Sequence, residues 1–174
     1  MSTPWGSDPR PSGADYDARW DELAAAGEDP HGEARFVAAL RPTSVFDAGC
    51  GTGRVGGHLA TLGHTVVGVD VDPALIDYAK TDFPDATWLV GDLALLDLPA
   101  EGIAEPFDLI FAAGNVLGFL APSTRVPTLE NLRNHLTENG RVVLAYGAGR
   151  GYPFKAFFAD LTTAGLTLDL ALST

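Results

Sequence analysis

The stretch from Ser44 to Ala60 constrains the fold of this chain more than any other. A short apolar run is interrupted by Asp47, glycine then stands at the alternate positions 49, 51 and 53, and the residues after Gly53 take helical spacing. Glycines leave such a turn free to adopt positive φ and to approach a ligand, while the first N–H groups of the helix point into the same space. Strand, glycine turn and helix together predict a site for a small polar ligand.

The rest of the chain alternates predicted strands with predicted helices. Two helices are expected ahead of the glycine strand, one over residues 14–26 and one over 32–40. Further strands are predicted over residues 65–70, 86–90, 106–115, 141–146 and 166–172, with helices over 73–80, 123–136 and 153–163. Asp72 is expected to cap its helix, Pro73 to begin it, and residues 138–140 to form a turn. This order predicts an α/β fold, a Rossmann-like, doubly wound, mostly parallel sheet with helices on both faces.

Composition bounds the domain count and the partners. A chain of 174 residues with 46% hydrophobic content suits one domain, with a disordered tail over residues 1–12, a helical cap over 13–41 and the α/β core over 42–174. The net charge of −12 disfavours nucleic acid and anionic membranes as partners. The one cysteine and four histidines show no ligand spacing, so no metal site is expected. Without a secretion signal or a membrane-spanning run, a cytoplasmic protein is expected.

Polar side chains stand where three of the predicted strands end. Asp70 closes the second strand, Asp92 follows the third and Asn115 follows the fourth, and open α/β sheets bind ligands at this edge. Asp70 lies close to the ~20-residue interval after Gly51 at which a carboxylate meets a ribose in dinucleotide folds. Asn115 either orients a ligand through its amide or is a left-handed turn residue. Asp108, early in its strand, is expected to be structural.

Two ligand classes compete for the glycine turn. Residues 51–56 match the G-x-G-x-x-G pattern of dinucleotide enzymes, but Asp47 already interrupts the apolar run that should lead directly into the first glycine. If the turn starts at Gly49, the third position falls on Arg54, which is too bulky for close approach to a pyrophosphate. Asp70 fits both classes, because both ligands contain a ribose.

The motifs at residues 47–53, 91–93 and 107–110 together resemble those of class I S-adenosylmethionine-dependent methyltransferases. In that family the glycines approach the amino acid part of the cofactor, the acid before them lies at its ammonium, and the acid after the third strand contacts the adenine amino group. The resemblance implies contacts from Asp47, Gly49, Cys50, Gly51, Gly53, Asp70, Val71, Asp92, Leu93, Ala113 and Asn115. It implies methyl transfer to a small-molecule acceptor, with S-adenosylhomocysteine as the second product.

The catalytic residues and the last strand are left open by these patterns. A general base is needed only for a protonated nucleophile, and the candidates are His31, Tyr16 and Tyr152. Tyr16 and Trp20 are also ordinary core candidates. An NAD(P)-dependent oxidoreductase and a noncatalytic cofactor-binding protein remain alternatives. The family's antiparallel seventh strand has no counterpart in the motif order over residues 44–174, which predicts an open edge beside the fifth or sixth strand and a homodimer through it.

Overall fold

The computed structural model describes residues 18, 20 and 22–172. Within this part of the chain, a sheet of five strands is combined with helices. The strands are β1 Ser44–Ala48, β2 Thr65–Asp70, β3 Thr87–Val90, β4 Phe107–Ala112 and β5 Leu136–Leu144. The α-helices are α1 Gly32–Ala39, α2 Arg54–Thr61, α3 Pro73–Asp82, α4 Arg125–Asn134 and α5 Phe154–Thr163, with 3-10 turns at Val116–Phe119 and Pro122–Thr124.

The sheet is parallel throughout and has the order β3-β2-β1-β4-β5. β1 pairs with β2 on one side, and the chain then crosses back to place β4 on the other side of β1. This change of direction brings the carboxyl ends of β1 and β4 side by side, which is where doubly wound sheets bind ligands. The predicted Rossmann-like fold is confirmed. Of the helix predicted over residues 14–26, residues 18, 20 and 22–25 are helical, and the remaining positions up to 21 lie outside the described residues.

The glycine turn packs on a single indole. Trp88 of β3 is 3% exposed, and its indole N–H donates to the Phe83 carbonyl at 2.8 Å. A Cβ on Gly53 or Gly56 would lie 3.0 or 3.2 Å from the Trp88 ring, and one on Gly68 would clash with it outright. The ring of Trp88 therefore packs against three glycines, one each from the turn, α2 and β2. Because these residues have no side chains, α2 lies close to the sheet.

Local signals set the bounds of β2 and α3. The β-branched run of β2 ends at Asp70, as predicted. The Asp72 carboxylate then accepts the Ala74 N–H at 3.0 Å, and Pro73 opens the helix. Both expectations for this helix start are confirmed, because the cap satisfies a backbone donor that the first turn leaves unpaired.

Two strand predictions are wrong. β5 begins at Leu136 and runs through residues 138–140, which were expected to form a turn. Phe107 pairs with Leu136, whereas Leu109 pairs with Arg141, so the turn-forming residues occupy an irregularity inside the strand. Residues 166–172 belong to no strand: they line a groove beside the outer edge of β5 but form no strand pairing with it in the described part of the chain.

One edge of the sheet is open, as predicted beside the fifth strand. Within the described residues β5 pairs only with β4. A groove of about 1100 Å³ follows its outer edge, and Phe36 of α1 and Phe158 of α5 are among the apolar residues that line it while 40% and 44% exposed. No helix in residues 22–172 is long and apolar enough to cross a membrane.

Candidate functional site

The glycine turn takes the backbone conformation that its sequence predicts. Gly49, Gly51 and Gly53 have φ values of 83°, 56° and 82°, a region that side chains disfavour. The N–H groups of Gly49 and Cys50 both donate to the Val69 carbonyl, at 2.8 and 3.1 Å. These bonds tie the turn to the end of β2, and so place the glycines beside Asp70.

Asp70 organises the turns on both sides of it. One carboxylate oxygen accepts the Gly51 N–H at 2.9 Å, and the other accepts the Asp72 N–H at 2.9 Å. Burial raises the pKa of this carboxyl, and the two backbone N–H groups oppose that shift. Each oxygen has a further acceptor position, so a ligand with two neighbouring hydroxyls can still bind here. Val71, the next residue, is partly exposed at the same edge.

Asp47 is a buried carboxyl at the end of β1. It is 3% exposed, and its Oδ2 accepts the Gly56 N–H at 3.0 Å. Burial raises its pKa to about 8, with the nearby Asp70 adding to the shift and the Gly56 N–H opposing it. An added Cβ on Gly56 would lie 2.7 Å from Oδ2. The third glycine of the dinucleotide-like pattern thus makes room for a carboxyl, not for a pyrophosphate.

A small cavity opens beside Asp47. Its volume is about 30 Å³, and it is lined by Asp47, Gly49, Cys50, Arg54, Val55, Phe111, Ala113 and Gly114. The cavity thus joins the glycine turn to the end of β4, including the predicted contact residue Ala113. The Cys50 thiol lies here with its pKa raised by burial and by the carboxyls of Asp47 and Asp70, which keeps it in the neutral form.

Arg54 is a site residue that the sequence prediction missed. Its guanidinium donates to both carboxylate oxygens of Glu33, at 3.2 and 3.0 Å, and to the Pro30 carbonyl at 2.5 Å. It also stacks on the Trp20 ring at 3.7 Å from the centroid. Although burial opposes it, the bond to Arg54 holds the pKa of Glu33 below its usual value. The available signal was a cation directly after the third glycine, with an acid in the first turn of α1.

Asp92 forms a turn directly after β3. Its Oδ1 accepts the Ala94 N–H at 2.9 Å, and its carbonyl accepts the Leu95 N–H at 2.9 Å. Leu93 is buried, and its carbonyl accepts the Asn131 amide at 2.9 Å. The turn fixes both residues at the carboxyl end of β3, in line with Asp70 and the glycines. Contacts of Asp92 and Leu93 with adenine stay a prediction.

Asn115 connects the loops that follow β4 and β5. Its backbone is left-handed, with φ 67°, so the turn interpretation is confirmed. Its Oδ1 accepts the Gly147 N–H at 2.8 Å. The amide Nδ2 keeps two donors that this bond does not use.

The structure separates the candidate bases. Tyr152 is 2% exposed and its hydroxyl donates to Asp160 at 2.6 Å; burial, with Asp160 adding, raises its pKa, which gives it a structural role. His31 stacks on His58, with ring centroids 3.8 Å apart, at the start of α1. Burial and the neighbouring His31 lower the pKa of His58. Tyr16 lies outside the described residues.

Asp108 takes the structural place expected of it. Its Oδ2 accepts the N–H groups of Thr43 and Ser44 at 2.9 and 3.1 Å, at the opposite end of β1 from the glycine turn. It therefore joins the starts of β1 and β4 and stays clear of the candidate site.

Comparison with known proteins agrees with this geometry. Residues 45–140 match the profile of a methyltransferase domain family. The chain is 49% identical to a TehB-like S-adenosylmethionine-dependent methyltransferase from Corynebacterium glutamicum, with a TM-score of 0.79 over 87% of this chain and 82% of that one. The chain belongs to the class I S-adenosylmethionine-dependent methyltransferases.

Curated relatives match over shorter stretches. The magnesium-protoporphyrin O-methyltransferase of Rhodobacter capsulatus is 40% identical over 97 residues, which are 52% of this chain and 41% of that protein. A dTDP-amino-sugar N,N-dimethyltransferase of Streptomyces fradiae is 29% identical over 75% of this chain and 54% of its own length. The chain thus spans less than half of the first of these relatives and about half of the second.

Proposed function

We propose that this protein transfers the methyl group of S-adenosylmethionine to a small-molecule acceptor. The observation that carries the proposal is the order of groups along one sheet edge, from Asp47 and the glycine turn through Asp70 to Asp92. This order follows the cofactor from its amino acid part through the ribose to the adenine. A solved amino pentose methyltransferase from Micromonospora echinaspora, which shares this fold, contains bound S-adenosylmethionine.

The proposed chemistry needs little from the side chains beyond placement. The donor sulfonium carries a positive charge that is neutralised as the acceptor attacks in line, so positioning and exclusion of water supply much of the rate. The acidic groups at Asp47 and Asp70 suit a cationic ligand. An acceptor whose nucleophile is protonated would lose its proton to a base, for which His31 and Tyr16 stay candidates.

A small acceptor is supported by the net charge of −12, which opposes binding to polyanions. Among the relatives, one is named for a porphyrin and one for a nucleotide sugar, while others are named for 18S rRNA. A cytoplasmic place of action stays a prediction from the sequence.

The experiment is a thermal-shift and turnover comparison. S-adenosylmethionine and S-adenosylhomocysteine are expected to raise the melting temperature, whereas NAD is not, because the Asp47 carboxyl occupies the place beside Gly56. Stabilisation by NAD alone would favour the oxidoreductase alternative. Binding of S-adenosylmethionine without transfer of labelled methyl to any of a broad acceptor panel would favour the noncatalytic alternative.

We also propose that two copies associate through the open edge of β5. An unpaired edge strand offers N–H and C=O groups to another strand, and Phe36 and Phe158 flank it while partly exposed. Sedimentation velocity is expected to show a dimer that Phe158→Glu weakens. Leu95→Glu is the matched control, because Leu95 is 82% exposed and lies outside the residues that line the groove. A wild-type monomer at all concentrations would contradict this association.

A further inference from the structure

The charges of this chain are unevenly distributed. None of the 23 acidic residues lies in residues 109–129 or 139–159, although the net charge is −12. These two segments contain four cations, Arg125, Arg141, Arg150 and Lys155. They also contain most of β4 and β5 and the loops that leave the carboxyl ends of both strands. The loops after β4 and β5 therefore have no acidic residue of their own.

The two loops hold each other in place. Gly147 donates its N–H to Asn115 Oδ1 at 2.8 Å, and the Arg125 guanidinium donates to the Gly151 carbonyl at 2.6 Å. Gly118 has no room for a side chain, because a Cβ there would clash with the Arg150 carbonyl. The backbone on both sides of Arg150 is thus fixed against the loop after β4.

Among residues 22–172, Arg150 and Lys155 are the two cations of this group without an ion-pair partner, and Arg150 is the one that lies beside Asn115. Arg125 is committed to Gly151 and to the Tyr152 ring, 4.1 Å away, and Arg141 lies 3.9 Å from Asp169. Arg150 is exposed, and within residues 22–172 its guanidinium makes no hydrogen bond or ion pair. An arginine without a partner, on a loop that has no acidic residue of its own, is suited to a carboxylate or a phosphate.

The position of Arg150 connects it to the donor site. A Cβ built on Gly147 would lie 4.0 Å from Arg150 Nε and 3.6 Å from Asn115 Oδ1, so both side chains converge on the same point. Val116, next to Asn115, packs over the glycine turn, since a Cβ on Gly49 would lie 2.5 Å from it. The Arg150 side chain therefore lies near Asn115, and the neighbour of Asn115, Val116, packs against the glycines expected to hold the methyl donor.

We propose that the acceptor is an anionic small molecule, whose carboxylate or phosphate group binds the Arg150 guanidinium and the Asn115 Nδ2. This inference rests on the proposed methyl transfer and specifies the acceptor class for it. Arg150 anchors the acid group and leaves the rest of the acceptor to extend toward the glycine turn. A neutral analogue lacks the charge-assisted bonds that fix this orientation.

The test uses inorganic phosphate and acetate as probes on the full chain, in the presence and absence of S-adenosylhomocysteine. Arginine side-chain NMR signals are followed at constant ionic strength, set with sodium chloride. The Arg150 Nε signal is expected to shift saturably, at a probe concentration about tenfold below that which moves the exposed Arg141. Stronger binding of phosphate than of acetate points to a phosphorylated acceptor, and the reverse order points to a carboxylate.

Two variants and one control test the contacts, and the backbone amide signal of Gly147 is followed in the same probe titration. Arg150→Gln is expected to abolish the saturable response of this amide signal, whereas the control Arg141→Gln leaves it unchanged. Asn115→Asp keeps an oxygen for the Gly147 N–H but replaces the Nδ2 donor with a second oxygen, so it is expected to weaken probe binding by about tenfold or more. An Arg150 signal that shifts only at the probe concentrations that also move Arg141 overturns the proposal.

This design distinguishes a failure of the methyl-transfer proposal from a failure of the anion-binding proposal for Arg150. Calorimetry on the same samples measures S-adenosylhomocysteine affinity, which Arg150→Gln is expected to leave unchanged. Loss of cofactor binding in the wild type would contradict the methyl-transfer proposal, while the probe titration without cofactor still decides whether Arg150 binds an anion.

Discussion

The two halves of the sheet edge are built differently. On the side of β1, β2 and β3, Asp47 and Asp70 are buried and already accept backbone N–H groups of the glycine turn and its neighbours. On the side of β4 and β5, Phe158 and Arg150 are exposed, and a groove follows the outer edge of β5. The first half is organised by the chain itself before a ligand arrives. The second half presents exposed groups, of which Arg150 has no ion-pair partner among the described residues.

The largest expected effect belongs to Asp70. Asp70→Ala removes the proposed acceptor for the ribose hydroxyls and the acceptor for the Gly51 N–H, and each charge-assisted bond contributes ~1.5–3 kcal/mol. S-adenosylhomocysteine affinity is expected to fall by about one to three orders of magnitude in calorimetry, with the fold retained. Unchanged affinity in a folded Asp70→Ala protein would remove the ribose assignment.

Asp108→Ala is the matched control at the other end of the sheet. It deprives the Thr43 and Ser44 N–H groups of their acceptor, so the free energy of unfolding is expected to fall by about 1–3 kcal/mol. Because Asp108 lies far from the glycine turn, S-adenosylhomocysteine affinity should stay the same.

The second effect is a pH dependence set by Asp47. The pKa of Asp47 is about 8 in the folded protein, whereas its reference value is 3.8. Because the folded state binds this proton more tightly than the unfolded state, protonated Asp47 favours the folded state at low pH. This contribution to stability is lost as the pH rises toward 8. A cofactor ammonium requires the ionised form. Affinity should therefore rise by up to about tenfold per pH unit from about pH 6 to 8, with up to one proton released per cofactor bound.

Calorimetry in buffers of different ionisation enthalpy measures this release. Asp47→Asn should abolish it, since the amide keeps an acceptor for the Gly56 N–H but carries no titrating proton. Proton release that persists in a folded Asp47→Asn protein would assign the titration to another group.

A smaller effect is expected at Glu33. Glu33→Gln removes the charge that pairs with Arg54, and the released guanidinium then competes with the cofactor ammonium for Asp47, whose pKa it already lowers slightly. Affinity should fall about fivefold, which corresponds to ~1 kcal/mol. Asp29→Asn changes an exposed partner of Arg35 in the same turn and should have no effect. An equal loss in both variants would contradict a specific role for Glu33.

The sequence predicted the half of the sheet edge around the glycine turn better than the half around β5. Around the glycine turn, positive φ at Gly49, Gly51 and Gly53, the end of β2 and the Asp72 cap were all predictable, because each follows from the residue types at those positions. Arg54 was missed as a site residue because its position after the third glycine does not identify its partner Glu33, which is 21 residues away.

The predictions failed where pairing partners decide the structure. Residues 138–140 carry a turn signal, yet the Phe107 to Leu136 pairing keeps them inside β5. Residues 166–172 have an alternating apolar pattern, but a strand exists only where another strand pairs with it. Tyr152 resembled a surface base in sequence, and only the fold shows its hydroxyl on Asp160.

The packing of three glycines against Trp88 limits how this sequence can diverge. Gly53, Gly56 and Gly68 come from three elements and meet the same indole. A side chain at any of these positions crowds the indole, and a smaller residue at 88 leaves a hole beneath the turn. Position 88 is outside the proposed cofactor contacts, yet it limits which mutational paths the glycine turn can follow. Changes at these four positions are therefore expected to be inherited together.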